Sequence, residues 1–381
     1  MRPEIMHLTL RTAPSFARWA CGLPIALPVK SMTNFDRYRN GNDFALPTVL
    51  SPSEKQEVEA VARFLAGLCC FTEAPPISGR LPFSYHVIPE RVRDIIAKII
   101  GAYQKQRESA WAHFPGWPLD LSVDAWRDAA CEQPRPERRT PVILTHDLDS
   151  PEGLDSFLEY FSSLEIAHGA RSVCYIVPCK WSLNFTQLDT LTKFGHELGI
   201  HGFDHANRTP FLDRGQMDER IEAARHTLSA YPVKGYRAPS LLRTPALYSA
   251  LVKHFAYDSS IPTSGGLYPC PNNGCASARP LRIRQLPVIP LSLPRDGSLR
   301  FLGYSPAFIL KLWQTYSLRI AESGGIVVLL THCEKRFSGN AAMLNVYQKF
   351  LAWVESNERL YFALPMQVLE NDIFSSLDLE M

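Results

Sequence analysis

The feature that most constrains this chain is an alternation that begins near residue 138. Short β-rich runs, "PVILT", "SVCYIV", "ELGIHG", "KGYRA" and "GIVVLLTH", are separated by longer segments with helical spacing of apolar residues at about 153–164, 186–195 and 217–230. Strands that alternate with helices predict a mostly parallel sheet with the helices outside it. The polar residues fall at telling places. Asp147, His201, Arg237 and His332 each lie at or just past the end of a β-rich run, where the loops of α/β barrels build their sites.

The first 137 residues have a different texture. From Ser51 to about Cys70, "SPSEKQEVEAVARFLAGLCC" offers an N-cap serine, a first-turn proline and early acidic residues, then apolar residues at helical spacing. A second helix is expected from about Pro89 to Trp111, followed by a polar, proline-rich connector that puts a boundary near residue 137. The expected organisation is a partly helical extension over 1–137, with no diagnostic motif, and a second domain of alternating strands and helices over 138–381. A chain of 381 residues is long enough for one large domain and an appendage.

Composition removes several classes. With 46% hydrophobic and 20% charged residues, and 30 prolines spread between segments, collagenous, coiled-coil and disordered readings fail. A net charge of +2 without a basic run leaves a nucleic-acid partner unsupported. No run reaches the roughly 18 apolar residues that a membrane span needs, and Arg18 and several prolines interrupt the apolar patch near the N-terminus. The expectation is a cytoplasmic protein without a transmembrane segment. Nine scattered cysteines fit a reducing compartment. Cys270 and Cys275 bracket an Asn-Asn-Gly turn and leave open a local disulfide or half a metal site, beside the plainer reading of unpaired thiols; no second close pair completes a zinc site.

Two short stretches carry the chemistry. In "THDLD", Asp147 and Asp149 are two apart at a strand end, so both carboxylates can face one cavity while Leu148 points away. In "HGFDH", His201 and His205 are four apart, and a helical turn or a tight loop would bring both rings to one side. Taken singly, an Asp-x-Asp is often a solvated turn or cap, and paired histidines can be incidental surface residues. Taken together, two imidazoles and one carboxylate would leave open positions on a shared metal, as catalytic sites do.

The order and spacing of "THDLD", "GHELGIHGFDH", "GYRAPS", "FAYDSSIP" and "VVLLTHCEK" over roughly 138–370 resemble the polysaccharide deacetylase family, the NodB-homology domain of carbohydrate esterase family 4. The resemblance implies a distorted (β/α)7 barrel with a mainly helical N-terminal extension. It also implies roles. Asp147 matches the family's catalytic base, Asp149, His201 and His205 its metal triad, and Arg237 the arginine that orients the base. Asp258 matches the acid that supports the catalytic histidine, His332 that histidine, and Leu330 the leucine of the acyl pocket. The separated aspartates of "THDLD" stand where the commonest pattern has adjacent ones, Ser240 stands where many members have tyrosine, and His146 replaces an aromatic residue as packing or support.

The implied reaction is hydrolysis of a linear amide C–N bond: removal of an N-acyl group, acetyl by default, from an amino sugar of a bacterial surface glycan or its lipid- or nucleotide-linked precursor. The implied cofactor is a divalent metal, zinc first, with cobalt or nickel as alternatives. A backbone N–H near Ser240 would help to stabilise the oxyanion. Two other readings remain: a non-catalytic carbohydrate-binding protein on the same barrel, and a hydrolase of small non-sugar amides.

Overall fold

The computed structural model describes residues 39–40, 43–44, 51–68, 70–72, 74–81, 85–108, 119, 121, 123–124, 127–128, 138–263, 274–370 and 377–379. The extension's two long helices, among the described residues, are α1 (Pro52–Leu68) and α2 (Glu90–Glu108). The barrel then opens with β1 (Thr140–Leu148) and α3, which begins at Pro151–Ser156, continues as a π-helical stretch over Phe157–Phe161 and ends with Ser162–Ala167. Next are β2 (Ser172–Ile176), α4 (Phe185–Lys193), β3 (Glu197–Ile200), α5 (Arg214–Thr227), β4 (Gly235–Tyr236), α6 (Pro245–Leu251) and β5 (Tyr257–Asp258). The chain continues with β6 (Leu281–Ile283), β7 (Leu286–Val288), α7 (Asp296–Phe301), α8 (Pro306–Glu322), β8 (Val327–His332) and α9 (Ala341–Glu355).

The strands β8, β1, β2, β3, β4, β5 and β7 follow one another as parallel neighbours. The ring is completed beyond β7. The Leu291 N–H donates to the Ile261 carbonyl, and two residues on the Leu293 N–H donates to the Val328 carbonyl of β8 at 3.1 Å. Seven staves therefore close into a barrel. Because two of them, β4 and β5, are only two residues long, the barrel is distorted.

The period of two along each strand separates two apolar layers. Ile143, Val173, Tyr175, Tyr257, Val328 and Leu330 fill the interior. Val142, Leu144, Ile176, Val327 and Leu329 point outward against the helices. Glycine is needed where the interior tyrosines lie: a Cβ on Gly199 would sit 2.5 Å from the Tyr175 ring, and one on Gly235 would sit 2.3 Å from that of Tyr257. The same alternation aims Asp147 and His332, which are register partners across β1 and β8, into the barrel mouth.

His146, one residue before Asp147 and so on the opposite face of β1, points outward into a buried polar cluster. Its Nε2 is 2.7 Å from Glu165 Oε1, which also accepts from the Tyr347 hydroxyl at 2.7 Å. Phe157 and Phe161 pack on its ring. Burial opposes the charge on Glu165, yet His146 and its hydrogen bond hold the carboxyl below its ordinary range. Removing one member of such a buried pair strands the other, so Glu165→Ala should cost roughly 3–5 kcal/mol of stability. Denaturant unfolding checks this, and an unchanged midpoint would refute it.

The extension shares the barrel's core. Ala62 and Ala66 of α1, with Cys70, belong to the same buried apolar cluster as the outward-facing barrel residues. Arg243, fully buried, donates from Nε to the Cys70 carbonyl at 2.7 Å. The outer face of α2 leaves Ile95, Ile99 and Tyr103 exposed. Cys270 lies outside the described residues, and Cys275 is a buried free thiol. Among the described residues no helix is long and apolar enough to cross a membrane.

Candidate active site

The site is assembled from the C-terminal ends of the strands. Asp147 is the penultimate residue of β1, and Asp149 follows that strand immediately. His201 directly follows β3 and His205 lies on the loop beyond it, so the H-x-x-x-H pair is brought together by a loop and not by a helix. His201 Nε2 and His205 Nε2 each lie 3.4 Å from Asp149 Oδ1, and their ring centroids are 5.1 Å apart.

These three side chains form the group, among the described residues, that could hold a metal ion, with ligand atoms all within 4.8 Å of one another. Two observations test the fit. Asp149 Oδ1 is buried with no hydrogen-bond partner, a state that a cation would relieve. The other nitrogen of each ring is engaged: His201 Nδ1 lies 3.0 Å from the Arg237 carbonyl, and His205 Nδ1 lies 3.0 Å from the Tyr85 hydroxyl. A carbonyl can only accept, so His201 carries its proton on Nδ1 and presents the Nε2 lone pair to the site. Two imidazoles and a carboxylate suit a divalent transition metal. Burial alone would raise the Asp149 pKa, but the two imidazoles outweigh it and hold the carboxyl below its ordinary value.

Asp147 is held from behind. Arg237, fully buried, donates from Nη1 to Asp147 Oδ1 at 3.0 Å and to Thr145 Oγ1 at 2.9 Å. Its other donors go to the carbonyl and hydroxyl of Ser259, and its guanidinium lies 4.1 Å from the centroid of the Tyr175 ring. Burial opposes ionisation of Asp147, but His201, Arg237 and His332 outweigh it and lower its pKa. The Asp147 Oδ2 atom is left facing His201 Nε2 at 3.5 Å.

His332, at the end of β8, corrects one expectation. Its partner is Asp296, the first residue of α7, and not Asp258. Asp296 Oδ1 lies 2.8 Å from His332 Nδ1, and Oδ2 accepts from the His332 backbone N–H at 2.8 Å and from the Ser338 hydroxyl at 2.8 Å. Asp258 instead accepts from Tyr248, at 2.8 Å, and from Ser260, whose hydroxyl in turn accepts the Ala238 N–H. The physical reason is side-chain direction. β5 aims Asp258 outward at α6, whereas Asp296 comes from the connection that closes the barrel beside β8. Burial on its own would lower the His332 pKa, but Asp296 and its hydrogen bond, with Asp149 and Asp147, raise it to about 9.

Ser240 and Leu241 follow β4 with left-handed backbones, φ 51° and 57°. His205 and Asn207, at φ 59° and 61°, do the same on the neighbouring loop. Conformations that non-glycine residues avoid thus gather on the two loops at the rim, and each costs on the order of 1–3 kcal/mol. Leu330, fully buried, is the inward residue of β8 immediately below His332.

Sequence reasoning assigned no role to Asp296, Glu334 or Tyr85. Glu334 accepts from the Ser150 hydroxyl at 2.7 Å, and burial followed by the charge of Asp149 pushes its pKa up to about 7. It lies in "THCEK", two residues past His332, so its position was visible though its direction was not.

A barrel mouth with this constellation defines the class: a distorted (β/α)7 barrel with an Asp-His-His group that could hold a metal ion. No protein-family profile and no curated relative matches the sequence. Among solved structures, the chain is similar to a Mycobacterium smegmatis protein assigned as a polysaccharide deacetylase, at 17% identity and a TM-score of 0.49, over 63% of this chain and 92% of that one. It is similar to Puue allantoinase at 14% identity and a TM-score of 0.48, over 63% and 93%. A family 4 carbohydrate esterase from Streptomyces lividans, in complex with acetate, matches at 13% identity and a TM-score of 0.40, over 59% and 92%.

The metal group itself makes a direct prediction. His201→Ala and His205→Ala should each lose more than the 10–100-fold in metal affinity typical of outer partners, while the fold persists. Elemental analysis of the purified variants checks this; full occupancy in either would remove that histidine from the site.

Proposed function

We propose that the protein is a metal-dependent hydrolase that removes an N-acyl group, acetyl by default, from an amino sugar of a bacterial surface glycan or its precursor. The observation that carries this reading is the meeting, at one barrel mouth, of three groups. These are the Asp149, His201 and His205 side chains, the Arg237-held Asp147, and the Asp296-held His332.

A divalent metal bound by Asp149, His201 and His205, zinc first, would supply an acidified water and polarise the acyl oxygen. The rest falls to the chain's own residues. Asp147 accepts the water's proton at Oδ2, because Arg237 occupies Oδ1. His332, protonated at neutral pH, gives the proton on Nε2 to the departing nitrogen while Asp296 steadies Nδ1. The C–N bond breaks as the acyl carbon keeps the water oxygen, leaving a carboxylic acid and an amine. Leu330 lines the acyl side, and the left-handed turn at Ser240 offers a backbone N–H to the developing oxyanion.

The test is acyl release with added zinc or cobalt across N-acetyl and N-formyl sugars, free, nucleotide-linked and lipid-linked, with ureides and simple amides beside them. Turnover of an acylated sugar is the expected result. Turnover of ureides or simple amides alone would move the substrate off sugars, and metal-loaded protein that binds sugar yet releases no acid would make it a binding protein.

A further inference from the structure

The extension places a side chain against a residue of the metal group. Tyr85, in a short 3-10 turn ahead of α2, has its hydroxyl 3.0 Å from His205 Nδ1. His205 Nε2 faces Asp149 Oδ1 at 3.4 Å, so a ligating ring must carry its proton on Nδ1 and donate it to the Tyr85 oxygen.

The surrounding contacts make a clasp. Asn207, two residues past His205, donates from Nδ2 to Ser78 Oγ at 3.1 Å, and the Arg208 guanidinium donates to the Leu81 carbonyl. Gly79 approaches the Asn207 carbonyl so closely that a Cβ would lie 2.7 Å from its oxygen. His205 and Asn207 both hold left-handed backbones, which the loop alone would not favour. On the other side of the mouth, Asp94 of α2 pairs with Arg300 of α7 at 3.0 Å and with Arg336, just past His332, at 3.5 Å. The extension therefore holds the loop of one metal-group histidine and the segments that carry His332 and Asp296.

We infer that Tyr85 is a positioning residue for the metal site, and that docking of residues 78–81 and 85–108 and metal binding are one linked equilibrium. The inference rests on the proposal that Asp149, His201 and His205 bind a metal. Linkage is reciprocal: if the docked segment holds His205 for the metal, bound metal must hold the segment down by the same factor.

The experiment is zinc titration of the full chain against a chromophoric chelator, with amide exchange of α2 followed in the absence and presence of zinc. Tyr85→Phe keeps the ring and removes the oxygen. It should weaken zinc binding by about 10–100-fold and reduce the zinc-dependent slowing of exchange in α2 that the wild type shows. Ser78→Ala, a milder cut in the same clasp, should give a smaller loss in the same direction and serves if Tyr85→Phe folds poorly. Tyr103→Phe, on the exposed outer face of α2, is the control and should match the wild type. Wild-type affinity and wild-type protection in both clasp variants would overturn the inference while leaving the metal site standing. Absence of zinc binding by the wild type would overturn the site itself, and the inference with it.

Discussion

Asp147→Asn is expected to lose about 10²- to 10⁴-fold in kcat while keeping its full complement of metal. An amide cannot accept the water's proton, and the loss corresponds to roughly 3–5 kcal/mol of barrier. The substitution changes little else in shape, since the Asn oxygen can still accept from Arg237 Nη1 and the donors of Arg237 to Thr145 and Ser259 are untouched. It does remove the charge opposite a fully buried guanidinium, so the variant should also melt lower than the wild type. Asp149→Asn should behave differently: metal affinity falls, and excess metal restores part of the rate. Metal content and kcat on both variants decide between the two carboxylates. A metal-depleted Asp147→Asn beside a metal-replete, inactive Asp149→Asn would exchange their roles.

The second large effect is expected at His332 and separates Asp296 from Asp258. His332→Ala should keep its metal and lose about 10²- to 10⁴-fold on unactivated amides, with a smaller loss on substrates whose leaving group departs without a proton. The pH profile carries more information. His332 holds its proton up to about 9, and in the proposed reaction the acid form is the useful one, so the rate should fall as pH rises through that pKa. A bound cation offsets the share contributed by Asp149, which moves the limb somewhat lower. Asp296→Asn removes the dominant raising partner and should shift the alkaline limb by a large step toward the ordinary histidine value near 6.5. Asp258→Asn should lower stability through Tyr248 and Ser260 and leave the limb where it is. If Asp258→Asn moves the limb and Asp296→Asn does not, the pairing seen here is not the one that acts in catalysis.

What could be read in advance was what strand geometry encodes locally. A β-strand alternates its faces with a period of two, so Asp147 had to share a side with Asp149, and the apolar run that ends in His332 had to be a central strand. The barrel follows from strands alternating with helices, and the mouth follows from polar residues at strand ends. The two histidines could be paired by spacing, but whether a helix or a loop joined them could not. That depended on the left-handed backbone of His205, whose ring meets the Tyr85 hydroxyl from 120 positions away.

The partner of His332 shows the same limit more sharply. Asp258 sits in a motif and Asp296 does not, yet Asp258 points outward at Tyr248 while Asp296 reaches His332 across a separation of 36 residues. Sequence by itself determined which strands end in chemistry, because periodicity along a strand is a local property. Only the tertiary structure decided which carboxylate meets His332 and which tyrosine meets His205. Those partners come from a barrel-closing connection and an added helical layer, whose positions are fixed by packing between distant segments and leave no periodic trace in the chain.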